Sequence, residues 1–147
     1  ACVQNLMVTN QYLAQVVRSG PALFWTDALA PLERSVSSRG ASSINMLDWG
    51  ADYSLLMLGQ GKLPLRAGMA FHDPPTPDQL TVMKDILGES SPIWVSHLPE
   101  FETTPDAAKN AAKAAAELGY RRENVETVRD RVGRPLFEVF RFVKAGS

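Results

Sequence analysis

The chain has 147 residues, 15 Lys+Arg against 16 Asp+Glu, 45% hydrophobic residues and one cysteine. That length suits one domain that buries roughly two-thirds of its unfolded surface, so a core can form without disulfide staples. A near-neutral charge excludes a dedicated nucleic-acid binder, and a lone Cys2 excludes an internal disulfide or a cysteine-based zinc cage.

The apolar runs are short, such as Leu55 to Leu58 and Ile93 to Val95, far below the ~20 residues that span a bilayer. The sequence starts at Ala1 with no basic and apolar leader, which suggests a processed product or an excised domain.

In chain order, Asn5 to Arg18 carries Leu6, Leu13, Val16 and Val17 on one face and stops at Gly20-Pro21, predicting a helix. Thr26 is positioned to cap a second helix through Leu29, Leu32 and Val36, with Gly40 beyond its end. Ser43 to Leu47 reads as a strand, Asp52 to Leu58 as a helix closed by Gly59 and Gly61, and the alternation from Leu63 to Phe71 as a second strand. Thr76-Pro77-Asp78-Gln79 is a capping box with proline at the first helical position, followed by the stripe Leu80, Met83, Ile86 and Leu87. Pro92 to Ser96 reads as a buried strand, and Thr104-Pro105-Asp106 opens an alanine-rich helix whose small side chains suit close packing on a sheet. Val125 to Arg131 and Leu136 to Val143 flank a turn at Val132-Gly133-Arg134-Pro135 and predict a hairpin.

This order predicts a single α/β domain over 1–147, with 1–40 as a helical lead-in packed on it. The expected architecture is a three-layer αβα sandwich, built on a mostly parallel, Rossmann-like sheet with a C-terminal antiparallel hairpin.

Open α/β sheets bind ligands at the carboxyl ends of their strands. Asp48 and Trp49 follow the first predicted strand, His72 and Asp73 the second, and His97 and Glu100 the third. If the strands are neighbours, these residues form one rim. Two imidazoles and two carboxylates suit a divalent metal or general acid–base work, although no metal-ligand spacing such as HExxH occurs. The plainer alternative is polarity where strands meet water.

Other chemistries have less to stand on. Asp48-Trp49-Gly50-Ala51-Asp52 lacks the glycines of a dinucleotide turn and adds repelling acids, and Gly59-Gln60-Gly61-Lys62 follows a helix where a phosphate loop precedes one. Ser54, Ser90, Ser91 and Ser96 lack a nucleophile elbow. Arg121, Arg122, Arg129, Arg131, Arg134 and Arg141 make a basic end, suited to a solvated strand face or to anionic lipid phosphate. Trp25, Trp49 and Trp94 sit beside element ends, suited to packing or to a sugar surface.

The run Asn45-Met46-Leu47-Asp48-Trp49-Gly50, then Leu55-Leu56-Met57-Leu58-Gly59-Gln60-Gly61-Lys62-Leu63-Pro64, resembles the C-terminal soluble regions of bacterial proteins related to dolichyl-phosphate-mannose protein mannosyltransferases. Phe24 to Ala28 with Leu32 resembles the stretch before it, so the likeness covers roughly Leu6 to Leu65. It implies a non-catalytic, extracytoplasmic (periplasmic) accessory domain of a membrane glycosyltransferase that uses a polyprenyl-phosphate-linked sugar. Its expected partners are its own membrane-embedded catalytic portion and a glycan acceptor or lipid-phosphate sugar. No catalytic residue, metal or cofactor carries over. The alternative is a free-standing α/β enzyme or small-ligand-binding domain using the strand-end rim.

Overall fold

The computed structural model describes residues 7–11, 13–15 and 26–146. Residues 7–11 and 13–15 are helical, with Met7, Val8 and Leu13 exposed. The rest of the predicted first helix, together with Cys2, Phe24 and Trp25, lies outside the described residues.

The elements are α1 (Leu29–Ser37), β1 (Ser43–Met46), α2 (Asp52–Leu58), β2 (Leu65–Arg66), α3 (Pro77–Leu87), β3 (Pro92–His97), α4 (Ala107–Glu117), β4 (Tyr120–Arg129) and β5 (Pro135–Lys144), with a 3-10 turn at Pro99–Phe101. They build an α/β fold on one five-stranded sheet in the order β2-β1-β3-β5-β4. β1 runs parallel to β2 and β3, whereas β5 is antiparallel to β3 and β4. The sheet is therefore mixed rather than mostly parallel, because the hairpin contributes its second strand to the interior and Trp94 pairs with Phe140 there.

Alternating strand residues point to opposite faces. Ile44, Met46, Ile93, Val95 and Val139 join Leu32 and Val36 of α1 and Leu55 of α2 in one core cluster. Leu47, Trp94, Phe140 and Phe142 join Met83 and Ile86 of α3 and the alanines of α4 in another. Ala111, Ala114 and Ala115 are buried. Their short side chains let the α4 backbone approach the aromatic side of the sheet.

Three local expectations need correction. The strand predicted over Leu63 to Phe71 shrinks to Leu65–Arg66. Gly68 adopts φ +72, which turns the chain out of line before the Met69 amide donates to the Met46 carbonyl at 3.3 Å. α4 begins at Ala107 instead of Pro105, because Asp106 sits at φ 59 and the Thr103 and Thr104 amides are taken by Asp48. Glu102 supplies the missing helix-end acceptor, receiving the Ala108 amide at 3.1 Å. Thr26 accepts from the Ala28 amide at 3.1 Å, one turn residue ahead of the α1 start, so it ties the entry turn rather than capping the helix.

The capping box of α3 forms as the sequence predicts: Thr76 accepts from the Gln79 amide and the Gln79 side chain accepts from the Thr76 amide. Thr76→Ala is expected to lower the unfolding free energy by about 1 kcal/mol. Urea denaturation checks this, and an unchanged midpoint would show that the box adds nothing.

Candidate functional site

Asp48 lies just beyond β1, and its side chain is 1% exposed. Its Oδ2 accepts from His97 Nδ1 at 2.7 Å and from the Thr103 amide at 2.9 Å. Its Oδ1 accepts from the Trp49 and Thr104 amides, both at 2.9 Å, and from the Thr103 hydroxyl in a very short bond. Burial alone pushes this carboxyl up, but the bonds from His97, Thr103 and Thr104 outweigh it and hold Asp48 well below the usual carboxylate range.

An ionised carboxylate only accepts, so His97 Nδ1 carries the hydrogen. The imidazole, 5% exposed, lies against the Phe137 ring with centroids 4.6 Å apart. Asp48 thus clamps the end of β1 to the end of β3 and to the loop that enters α4. Ser96, next to His97, donates to Glu102 at 3.2 Å, so its hydroxyl is committed elsewhere.

β2, β1 and β3 are neighbours, the condition for a common rim. Of the six predicted rim residues, Asp48 and His97 meet directly and Trp49 stands beside Asp48 on a cleft. His72 and Asp73 are held by other groups. His72 Nδ1 lies 3.2 Å from Gln79 Nε2, and Asp73 pairs closely with Lys113 of α4. Glu100 is exposed on the 3-10 turn. Among the described residues no group of three or more His, Cys, Asp or Glu is gathered to hold a metal.

The cleft beside Asp48 has a volume of about 270 Å³. Trp49, Asp52 and Tyr53 line it together with residues 67–70. Trp49 is 64% and Tyr53 72% exposed, although both are large aromatics. Asp52 Oδ1 is shut away from solvent with no hydrogen-bond partner. Farther along α2, Leu56, Met57 and Leu58 are also exposed.

Trp94 is fully buried, which removes it as a sugar-facing surface; Trp25 lies outside the described residues. Ser90 and Ser91 line a separate cleft at the amino end of β3. The basic end is matched by acids: Arg121 and Arg141 face Glu123, Arg122 faces Glu138, Arg131 faces Asp27 and Arg134 faces Asp130. Arg129 donates to the Gly133 carbonyl. These contacts suit the solvated strand face.

Thr103, Thr104, Asp52 and Tyr53 belong to the rim and are absent from the sequence-based set. Thr104 reads as a helix-opening residue because Pro105-Asp106 follow it, and Thr103 carries no signal of its own. Asp52 and Tyr53 read as the opening of an ordinary amphipathic helix. No protein family, curated protein or solved structure matches this chain. Among the described residues no helix is long and apolar enough to cross a membrane.

Proposed function

We propose that this chain is a non-catalytic accessory domain of an integral-membrane glycosyltransferase that uses a polyprenyl-phosphate-linked sugar, set on the extracytoplasmic side and aiding acceptor binding or stability. One observation carries the non-catalytic half. The rim's one acid–imidazole pair is buried, and Asp48 is occupied by five donors. A general acid or base must reach the proton it moves, within about 3 Å or through one water, and this pair is turned inward to hold the loop.

The membrane-enzyme half is supported by the resemblance over Asn45 to Pro64 and by the exposed side chains Trp49, Tyr53, Leu56, Met57 and Leu58. An apolar surface of that kind is characteristic of contact with another apolar body. The three-layer αβα reading of the fold belongs with this proposal, supported by the two core clusters that flank the sheet.

A second reading, a free-standing α/β ligand-binding domain, is favoured by the strand-end cleft. Fractionation of cells expressing the full-length gene product separates the two. The accessory-domain reading expects the product in washed membranes and sugar transfer only with the membrane portion present. Recovery in the soluble fraction, or transfer by the 147-residue chain alone, would overturn it.

A further inference from the structure

We propose that the cleft beside Asp48 binds one neutral sugar ring, stacked on Trp49 and Tyr53 and hydrogen-bonded through Asp52; this rests on reading the strand-end rim as a binding surface. The cleft volume of about 270 Å³ lies just below the range of drug-sized ligand sites, about 300 to 1,000 Å³. That scale suits a monosaccharide unit better than a nucleotide.

The chemistry of the walls narrows the ligand further. Trp49 and Tyr53 are exposed aromatics that line the cleft, and an aromatic ring packs well against the C–H face of a pyranose while its polar handle meets hydroxyls. Among the described residues, the charged side chains that line the cleft, Asp48 and Asp52, are acidic. They oppose a phosphate and favour a polyhydroxyl donor.

Asp52 also carries an unmet demand. Its Oδ1 is enclosed without a partner, and an unsatisfied buried acceptor carries an energetic cost. Rotation of the carboxylate toward the cleft and onto a sugar hydroxyl removes that cost. Gly68, which also lines the cleft, has open space where a side chain would begin, so a ligand can approach the backbone closely there.

The test is a set of ¹H–¹⁵N spectra of the 147-residue chain titrated with methyl α-mannopyranoside, methyl β-glucopyranoside and N-acetylglucosamine. At least one is expected to shift the Trp49 indole and the Gly68 and Ala70 amides in a saturable way, leaving the buried Trp94 indole unmoved. Trp49→Ala is expected to weaken binding about tenfold or more, a loss of roughly 1.4 kcal/mol per tenfold, and Asp52→Ala to weaken it severalfold. No shift at tens of millimolar of any of the three sugars, or shifts that persist at full strength in Trp49→Ala, overturns the proposal. A full-length product in the membrane fraction together with an unresponsive cleft removes the sugar site and keeps the accessory-domain reading. A soluble product with a responsive cleft does the reverse.

Discussion

Asp48→Asn is expected to lower the unfolding free energy at neutral pH by about 1–3 kcal/mol for each buried donor left without its acceptor. The amide keeps the shape but loses an acceptor: its NH₂ confronts backbone amides that can only donate. The same substitution reshapes the acid limb. Because the folded state holds Asp48 below its ordinary range, its stabilisation is fully present above about pH 4, the unfolded carboxyl value, and drains away as pH falls toward the folded value. Glu89 and Glu126 are also held low. For Glu89, burial opposes the shift and bonds from Ser43, Arg66 and Ser42 outweigh it; for Glu126, the Ser35 bond leads and Arg39 adds to it. The variant should therefore show a shallower acid limb rather than a flat one. Urea melts followed by circular dichroism from pH 7 downward measure both effects. A loss below about 1 kcal/mol with an unaltered acid limb would show that the clamp contributes little.

Trp94→Ala and Trp94→Phe are expected to part company. Trp94 is fully buried, with Phe71 at 6.1 Å and Phe142 at 5.3 Å between ring centroids. Truncation to alanine leaves a cavity under α3 and α4 and is expected to cost about 3–5 kcal/mol. The indole Nε1, however, finds no acceptor inside the protein. Phenylalanine gives up some volume but also removes that stranded donor, whose burial costs about 1–3 kcal/mol, so its net effect is expected within about 1 kcal/mol of zero. Chemical denaturation of the two variants decides this. Equal losses would show that the indole nitrogen is satisfied in solution.

Local chemistry was the legible part of the fold. Thr76 and Gln79 announce the start of α3 because both halves of a capping box lie within four residues, and the predicted bounds of α2 match Asp52–Leu58. The placement of β5 between β3 and β4 was not legible, since a hairpin's pattern does not say which of its strands docks on the older sheet. The rim was legible as a set of strand ends and illegible as a set of contacts. Asp48 and His97 lie 49 residues apart and meet because β1 and β3 are parallel neighbours. His72 falls at a similar position in the pattern, but Gln79 takes both its backbone amide and its ring, an attachment that only folding of the α3 entrance creates. The late start of α4 has the same origin: a carboxylate 55 residues away competes for the Thr103 amide.

The interior position of β5 also sets a schedule for synthesis. β1, β2 and β3 are complete when residue 97 has been made, yet one edge of β3 has no hydrogen-bonding partner until Pro135–Lys144 emerge and slot in beside it. Phe137 and Phe140, which close the core on both sides of the sheet, arrive at the same moment. A nascent chain stalled before residue 135 thus offers a bare, apolar strand edge, the kind of template that pairs with other chains. Folding of this sheet therefore waits on residues 135–144, and shielding that edge in the meantime falls to the cell.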